Sequence, residues 1–275
     1  MNADLTDKVV LITGASGGIG ASTARQFAAE GAKLILHFNS RKTEAENLQR
    51  ELVGAESILL RADLTRETEV IDLFTQARSA FGKIDSLVVN AGIWVEENLA
   101  IQEMSLAQWR RTIDADLTSV FLCCHEFFKI VQAQQRGNVV LVSSTAGVFG
   151  EAGHVDYSAA KSAMAYGLTR TLKNEISRIA PHTTEYCGGR VNCVCPGWTV
   201  TPLTEKHLRN ETLVRQVIAT MALPQIGRAE DIANAIVFLA SDTLARHISG
   251  QTLVVAGGME GRLLWNESEV DVTKV

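Results

Sequence analysis

Short runs rich in Val, Ile and Leu alternate with longer stretches of helical period along most of the chain, and this alternation limits the possible folds more than any single motif. The runs are apolar at successive positions, as expected for strands buried on both faces. The predicted strands are Lys8–Thr13, Lys33–Phe38, Ser57–Arg61, Ile84–Asn90, Asn138–Ser143, Arg190–Cys195 and Thr252–Val255. The predicted helices are Ile19–Glu30, Lys42–Leu52, Glu67–Phe81, Ser105–Gln134, Asp156–Ala180 and Ala229–Ala240.

This order predicts an α/β fold, a Rossmann-type doubly wound parallel sheet of about seven strands with helices on both faces. A chain of 275 residues without repeats or linker-like segments fits a single domain over residues 1–275. Residues 199–224 form a mostly helical insert after a strand end, where such sheets bind ligands, so we expect them to cover the substrate. The C-terminal tail, residues 259–275, has no predicted role.

Charge and hydropathy exclude several kinds of partner. The formal net charge is −5 and the isoelectric point is near 5.7, which is not typical of a nucleic-acid-binding chain. No stretch approaches the roughly 20 apolar residues that span a bilayer, and the first residues do not resemble a signal peptide. The cysteines show no metal-ligand spacing and are typical of a reducing compartment. We therefore expect a cytoplasmic protein with no metal site, no membrane segment and no nucleic-acid partner.

A glycine-rich loop joins the first predicted strand to the first helix. Glycines there allow a tight turn and let backbone N–H groups approach a pyrophosphate at the positive end of the helix. The spacing differs from the common Gly-x-Gly-x-x-Gly fingerprint, and a plain turn is the alternative interpretation. The loop runs from Thr13 to Gly20, and its candidate cofactor-binding residues are Gly14, Ser16, Gly18, Ile19 and Gly20.

The end of the second strand predicts which dinucleotide binds. An acidic residue at this place holds the 2′-hydroxyl of NAD in the usual fold, but this chain has Asn39, Ser40 and Arg41. These side chains suit a 2′-phosphate, Arg41 through charge-assisted hydrogen bonds. NADP (NADPH) is therefore favoured over NAD. The alternative is that Arg41 only begins the next, highly charged helix.

Ser144, Tyr157 and Lys161 form a candidate proton-transfer site. Tyr157 and Lys161 are four residues apart, so a helix places them on one face. An ammonium favours the phenolate of a nearby tyrosine and lowers its pKa, which would make Tyr157 usable as a general acid and base near neutrality. Ser144 could then hold a substrate oxygen. The alternative is an ordinary pair on a solvated helix face.

Together the glycine loop and this site resemble the short-chain dehydrogenase/reductase family over nearly the whole chain. Asp63 and Leu64 are similar to the segment that contacts the adenine, and the stretch Asn90, Ala91 and Gly92 resembles the motif that lines the adenosine ribose. The turn that contains Pro196, Gly197, Thr199 and Thr201 resembles the one that holds the nicotinamide amide, and the stretch from Ser249 to Gly258 resembles the final strand with its flanks.

The resemblance implies a carbonyl reductase or alcohol dehydrogenase (EC 1.1.1.-). Lys161 would hold the nicotinamide ribose and lower the Tyr157 pKa, Tyr157 would exchange a proton with the substrate oxygen, and Ser144 would anchor that oxygen. Ser143 is the competing serine, which we expect to be satisfied locally. The alternatives are a biosynthetic enzyme of this fold with non-redox chemistry, or a cofactor-binding protein with little turnover.

Asp116 departs from the family pattern. The resemblance implies an asparagine at this place in the fourth helix, which supports a helix kink and a water chain that ends at the lysine. Aspartate has nearly the same shape but lacks the NH₂ donor and carries a charge. We expect it to stabilise the Lys161 ammonium and weaken its pull on Tyr157, which gives retained but altered activity. A tolerated structural substitute is the alternative.

Trp94, His154 and Trp198 flank the predicted cleft and suggest an apolar-walled pocket for a small-molecule carbonyl or alcohol. The chain does not distinguish among classes of ketone. The family commonly forms dimers and tetramers through its fourth and fifth helices. The long predicted helices Ser105–Gln134 and Asp156–Ala180 are apolar enough for this, so we expect a homo-oligomer, a dimer or a homotetramer.

Overall fold

The computed structural model describes residues 3–261, and the rest of the predicted tail, with Trp265, lies outside the described residues. The strands are β1 (Val9–Ile12), β2 (Lys33–Phe38), β3 (Ser57–Arg61), β4 (Ser86–Val89), β5 (Asn138–Val142), β6 (Arg190–Pro196), β7 (Thr199–Val200), β8 (Gly227–Arg228) and β9 (Thr252–Val255). The α-helices are α1 (Gly18–Ala29), α2 (Lys42–Glu51), α3 (Glu67–Phe81), α4 (Leu106–Ile113), α5 (Ser119–Gln134), α6 (Thr145–Phe149), α7 (Val155–Ser162), α8 (Thr169–Ile179), α9 (Glu205–Leu208), α10 (Glu211–Ile218) and α11 (Ala229–Ala240).

Seven strands form one parallel sheet in the order β3-β2-β1-β4-β5-β6-β9, which confirms the predicted fold class. The chain builds one half of the sheet outward from β1 to β3 and then crosses back to β4, which lies beside β1. The two halves of the sheet therefore meet between β1 and β4. Alternate residues of β1 pack on opposite sides. Val9 and Leu11 join one buried cluster, and Val10 and Ile12 join another. Both faces of the sheet are therefore core, because helices cover each of them.

The two longest predicted helices are each interrupted by a π-helical segment, which is a correction to the prediction of continuous α-helices. Asp114–Thr118 lies between α4 and α5, and Ala163–Leu168 lies between α7 and α8. At each π-helical segment a side-chain hydroxyl donates a hydrogen bond to a backbone carbonyl. The Ser119 hydroxyl donates to the Ala115 carbonyl at 2.6 Å, and the Thr169 hydroxyl donates to the Met164 carbonyl at 2.7 Å. Such segments are frequent at functional sites.

The predicted insert contains α9 and α10, and it also contains β7, which pairs in parallel with β8. This small sheet was not predicted, because two residues carry no readable alternation. The insert lies directly against the glycine loop. A Cβ atom on Gly18 would come within 2.7 Å of the Thr201 side chain. The start of the insert therefore lies beside the loop that borders the carboxyl ends of the strands, and its role as a substrate cover stays a prediction.

Candidate active site

A cleft of about 570 Å³ opens near the carboxyl ends of the strands, where β1 and β4 meet. Ligands bind at this place in doubly wound sheets. Most predicted site residues line it, namely Gly14, Ser16, Gly18, Ile19, Asn39, Ser40, Arg41, Asp63, Leu64, Asn90, Ala91, Gly92, Trp94, Ser144, Tyr157, Lys161, Pro196, Gly197, Trp198, Thr199 and Thr201. Gly20, Asp116 and His154 are not part of its wall.

The glycine loop is built for close backbone approach. Gly14 has φ +66°, and a Cβ on Gly20 would collide with the Gly14 carbonyl oxygen. The Asn90 side-chain amide donates to the Thr13 and Gly14 carbonyls at 3.1 and 3.2 Å. The Thr13 hydroxyl accepts from the N–H groups of Asn90 and Ala91 at 2.9 and 3.0 Å. Asn90 thus braces the loop from the neighbouring strand, a contact that the motif alone did not reveal.

His37, which sequence reasoning missed, lies beneath this loop at the end of β2. Its Nδ1 accepts from the Gly14 N–H at 3.1 Å, and its Nε2 donates to the Ala62 carbonyl at 3.0 Å. The ring is 2% exposed, and burial lowers its pKa to about 4. The imidazole is therefore neutral, which its acceptor role toward Gly14 requires. A histidine in an apolar strand beside the glycine loop was the available sequence signal.

The end of β2 presents polar side chains to the cleft. Asn39 accepts from the Arg61 guanidinium at 3.3 Å, and Arg61 also pairs with Glu69 at 2.8 Å. Arg41 is exposed, lies at the N-cap of α2 and lines the cleft. Its position is compatible with both interpretations, and its contact with a 2′-phosphate stays a prediction. Its guanidinium makes no hydrogen bond or ion pair among the described residues, so it is available to a ligand.

Ser144, Tyr157 and Lys161 converge on one wall of the cleft. Ser144 is the N-cap of α6, where its hydroxyl accepts from the Ala146 N–H at 3.1 Å, and its hydroxyl lowers the Tyr157 pKa. The Lys161 ammonium lies 5.5 Å from the centre of the Tyr157 ring. Lys161 is buried, so this pair is not a solvated surface pair. The Ser143 hydroxyl donates a hydrogen bond to the Lys161 carbonyl at 2.6 Å. Ser143 is therefore satisfied within the protein, but by a residue distant in the sequence and not locally, as was expected.

Asp116 lies directly behind this group, in the first π-helical segment. It is fully buried, and its Oδ1 accepts from the Ile93 N–H at 2.7 Å. Its Oδ2 has no partner among the described residues. A Cβ on Gly92 would come within 2.6 Å of Asp116 Oδ1 and 3.1 Å of Lys161 Nζ. Because Gly92 has no side chain, the Asp116 carboxylate and the Lys161 ammonium can both lie against its backbone.

Burial and charge set the proton affinities of this group. Desolvation raises the pKa of Tyr157; the Lys161 ammonium lowers it in part, and Asp116 raises it further. Lys161 thus lowers the Tyr157 pKa as predicted, but desolvation outweighs the ammonium and the net shift is upward. Burial tends to lower the pKa of Lys161, but the anionic neighbours, Asp116 foremost, hold it above its usual value. Burial raises the pKa of Asp116, against the pull of Lys161.

The Pro-Gly turn after β6 is held by a chain of hydroxyl groups. The Thr199 hydroxyl donates to the Gly197 carbonyl at 2.9 Å, and the Thr204 hydroxyl accepts from the Thr201 N–H at 3.1 Å. Gly197 packs against β9, where a Cβ would come within 2.6 Å of Ala256. These contacts fix the backbone that borders the cleft beside Tyr157.

Aromatic rings close the side of the cleft opposite the glycine loop. Trp94 and Trp198 line it as predicted. His154 lies behind Trp94 and stacks on it, with ring centres 4.9 Å apart and 8° between the planes. His154 is not part of the cleft wall, and its predicted contact with substrate stays a prediction. His207 of α9 meets Trp94 edge-on at 5.0 Å. Glu151, Leu203 and Thr204 complete this wall.

No three His, Cys, Asp or Glu side chains are grouped for a metal ion within residues 3–261. In the same part of the chain, no helix combines the length and apolar character needed to cross a bilayer.

A family model described as Enoyl-(Acyl carrier protein) reductase matches residues 14–260. The match includes nearly all of the glycine loop, the Asn90 segment and the converging group around Tyr157. The chain belongs to the short-chain dehydrogenase/reductase family. The family, the fold class and the enzyme class predicted from the sequence are thereby confirmed. This short-chain dehydrogenase/reductase is an oxidoreductase that interconverts carbonyl and alcohol groups.

Several relatives cover almost the same length. A 3-oxoacyl-[acyl-carrier-protein] reductase of Synechocystis is 36% identical over 93% of this chain and 98% of its own. A cis-4-hydroxycyclohexanecarboxylate dehydrogenase of Sinomonas cyclohexanicum is 38% identical over 94% and 98%. The crystal structure of levodione reductase superimposes with a TM-score of 0.84 at 31% identity, over 92% of this chain and 97% of that one. These names span different substrates, so they define the reaction type and not the substrate.

Proposed function

We propose that this enzyme is an NADP-dependent oxidoreductase in which Tyr157 exchanges a proton with the oxygen of a ketone or secondary alcohol. The observation that carries the proposal is the convergence of Ser144, Tyr157 and buried Lys161 on one wall of the cleft that the glycine loop borders. Bound NADPH or NADP⁺ supplies or accepts the hydride. The glycine loop fits a pyrophosphate, since added Cβ atoms on Gly18 or Gly20 would collide with other parts of the protein.

In this proposal each residue of the wall has one task. Ser144, which lines the cleft beside Tyr157, orients the substrate oxygen toward the phenol. Tyr157 donates its proton to that oxygen during reduction and accepts it back during oxidation. Lys161 lowers the energy of the phenolate, and the positive charge of an oxidised nicotinamide ring adds to this effect. Reduction needs the protonated phenol of Tyr157, and oxidation needs the phenolate. Because the Tyr157 pKa is raised, we expect the rate of reduction to persist above neutral pH and the rate of oxidation to rise only at high pH.

The first test is NADPH consumption, followed by absorbance, across a panel of ketones. We expect turnover with at least one ketone and a higher kcat/KM with NADPH than with NADH. Cofactor binding without oxidation in the presence of any ketone would contradict the proposal and favour a binding protein or non-redox chemistry.

Arg41 is expected to determine the preference for NADPH. Arg41→Ala should reduce kcat/KM for NADPH by roughly tenfold or more, the effect of one charge-assisted hydrogen bond, and leave NADH turnover nearly unchanged. Lys42→Ala is the matched control, because Lys42 is exposed, pairs with Glu46 and lies outside the cleft wall. An equal loss with both cofactors would show that Arg41 does not contact a 2′-phosphate.

Asp116→Asn tests the departure from the family pattern. Removing this anion should lower the Tyr157 pKa, since the carboxylate raises it. Alcohol oxidation requires the phenolate, so its rate rises with pH through the Tyr157 pKa. We therefore expect this limb of the pH–rate profile to move to lower pH. Asp114→Asn is the control, because Asp114 is exposed on the same segment and accepts from Thr118. Superimposable profiles would identify Asp116 as a structural substitute only.

We also propose that the chain forms a homo-oligomer through α5. Phe121 is 54% exposed there and stacks on His125 at 5.7 Å. This exposed ring gives a partner copy an apolar contact on α5. Light scattering should give a multiple of 29.8 kDa, and Phe121→Glu should shift it toward the monomer. Val53→Glu, at a position 92% exposed, is the control. A monomeric wild-type chain would refute the proposal.

A further inference from the structure

We infer that Asp156 is a positioning residue for the proposed general acid. Its buried carboxylate joins the first turn of α7, which carries Tyr157, to α4. This inference rests on the proposed function and gives a task to a charged group that the proton exchange itself does not use. Three features support it: the contacts of the carboxylate, the start of the helix in which it lies, and the segment that it reaches.

The Asp156 carboxylate is buried and both of its oxygens accept hydrogen bonds. Asp156 is 2% exposed. Its Oδ1 accepts from the Tyr157 N–H at 2.8 Å, and its Oδ2 accepts from the Thr112 hydroxyl at 2.6 Å. The Gln108 side-chain amide approaches the same Oδ2 at 3.5 Å. Within residues 3–261 no cation pairs with this carboxylate, so donors from two helices stabilise its buried charge.

The start of α7 depends on Asp156 for its capping hydrogen bond. The N-cap residue is His154, and its side chain makes no such bond. The first N–H groups of a helix have no partner within the helix, so a side-chain oxygen commonly accepts from one of them. Asp156 lies in the first turn and does this for Tyr157, at the end of the helix where its dipole favours a carboxylate. The backbone of Tyr157 is therefore held by the side chain that precedes it.

The second oxygen of the carboxylate joins this turn to the segment behind the cleft wall. Thr112 is buried near the end of α4 and lies four positions before Asp116, which is in the first π-helical segment. The contact between Thr112 and Asp156 therefore fixes the turn that carries Tyr157 against the segment that carries Asp116.

Neither Asp156 nor Thr112 lines the cleft, so neither is placed to touch the substrate. Their effect on the reaction has to pass through Tyr157. A displacement of about 1 Å between reacting groups can cost a hundredfold in rate. A contact that fixes the Tyr157 turn therefore influences the rate of the proposed proton transfer without taking part in it.

The decisive experiment is single-turnover oxidation of NADPH by Asp156→Ala, with the ketone that the wild-type enzyme reduces fastest. The rate constant reports the reaction in correctly folded molecules, and the amplitude counts those molecules. We expect the rate constant to fall at least about tenfold, while the amplitude and the Kd for NADPH change by less than about threefold. An unchanged rate constant, or a loss confined to the amplitude, would overturn the inference and leave the proposed function intact. No turnover of any ketone by the wild-type enzyme would overturn the proposed function, and the inference with it.

Asp156→Asn tests whether the contacts themselves matter. Asn retains an oxygen for the Tyr157 N–H, and its NH₂ group can donate to the Thr112 hydroxyl. We expect this variant to keep the single-turnover rate constant within about threefold of the wild-type value. A loss as large as that of Asp156→Ala would contradict a positioning role, because Asn can make both contacts. This comparison with the wild type also tests the inference if Asp156→Ala does not fold.

Thr112→Val removes the contact with α4 and leaves the contact with the Tyr157 N–H. It should lower the single-turnover rate constant at least about threefold. Added to Asp156→Ala it should cause no further loss, because the two side chains form one contact. Thr23→Val is the control: Thr23 is buried on α1, its hydroxyl has no partner among the described residues, and its variant should react at the wild-type rate. Losses that multiply in the double variant would refute the role of this contact.

Discussion

Tyr157→Phe is expected to reduce ketone reduction by roughly a thousandfold, because it removes the proposed proton donor and leaves the ring in place. Phe keeps the packing of this half-buried side chain, and Lys161 and Ser144 keep their own partners. Affinity for NADPH should fall by less than about tenfold, the loss that one hydrogen bond causes. Single-turnover kinetics and fluorescence titration with NADPH measure the two effects separately.

Tyr166→Phe is the matched control for this prediction. Tyr166 lies in the second π-helical segment, contacts the Arg170 guanidinium through its ring, and does not line the cleft. Its variant should retain wild-type rates. A Tyr157→Phe enzyme that keeps more than about a tenth of wild-type activity would contradict the assignment of Tyr157 as the general acid.

Acid is expected to destabilise the protein through His37, by about 3 kcal/mol between pH 7 and pH 4. Burial lowers the pKa of His37 from 6.5 to about 4 in the folded chain. The unfolded chain therefore binds a proton below pH 6.5 that the folded chain refuses. The stability contributed by the neutral ring is complete above pH 6.5 and is lost as the pH falls toward 4. Urea unfolding at several pH values measures this loss.

His37→Asn isolates the contribution of this ring. Asn retains an acceptor for the Gly14 N–H but does not titrate. Between pH 7 and pH 4 the variant protein should therefore lose about 3 kcal/mol less unfolding free energy than the wild type does. His247→Asn, at an exposed position, is the control and should behave as the wild type does. If the two variants show the same pH dependence, His37 is not the group that confers acid sensitivity.

The sequence located the strands well, because each strand is apolar on both faces and lies between segments of helical period. β2, β3 and β9 have the predicted limits. The π-helical segments were not predicted, since they depend on i→i+5 backbone hydrogen bonds, such as that of the Thr169 N–H to the Met164 carbonyl. Hydrophobic periodicity does not report bonds of this kind.

The site was predicted in the same uneven way. Motif order indicated that the glycine loop, Ser144, Tyr157 and Lys161 belong together. It did not reveal His37 below the loop, or the stacking of His154 on Trp94. Those two positions depend on how loops from different strands pack at one edge of the sheet, and no local pattern encodes that packing.

The sequence by itself determined the fold class and the family, and it supplied the glycine loop and the candidate reacting side chains of the proposal, because each depends on residue type and spacing along the chain. Only the tertiary structure decided the proton affinities. The Tyr157 pKa results from burial set against Lys161 and Asp116, and these three side chains come from separate segments of the chain or from different turns of one helix. Desolvation and charge act through space, so their balance exists only once the chain has folded.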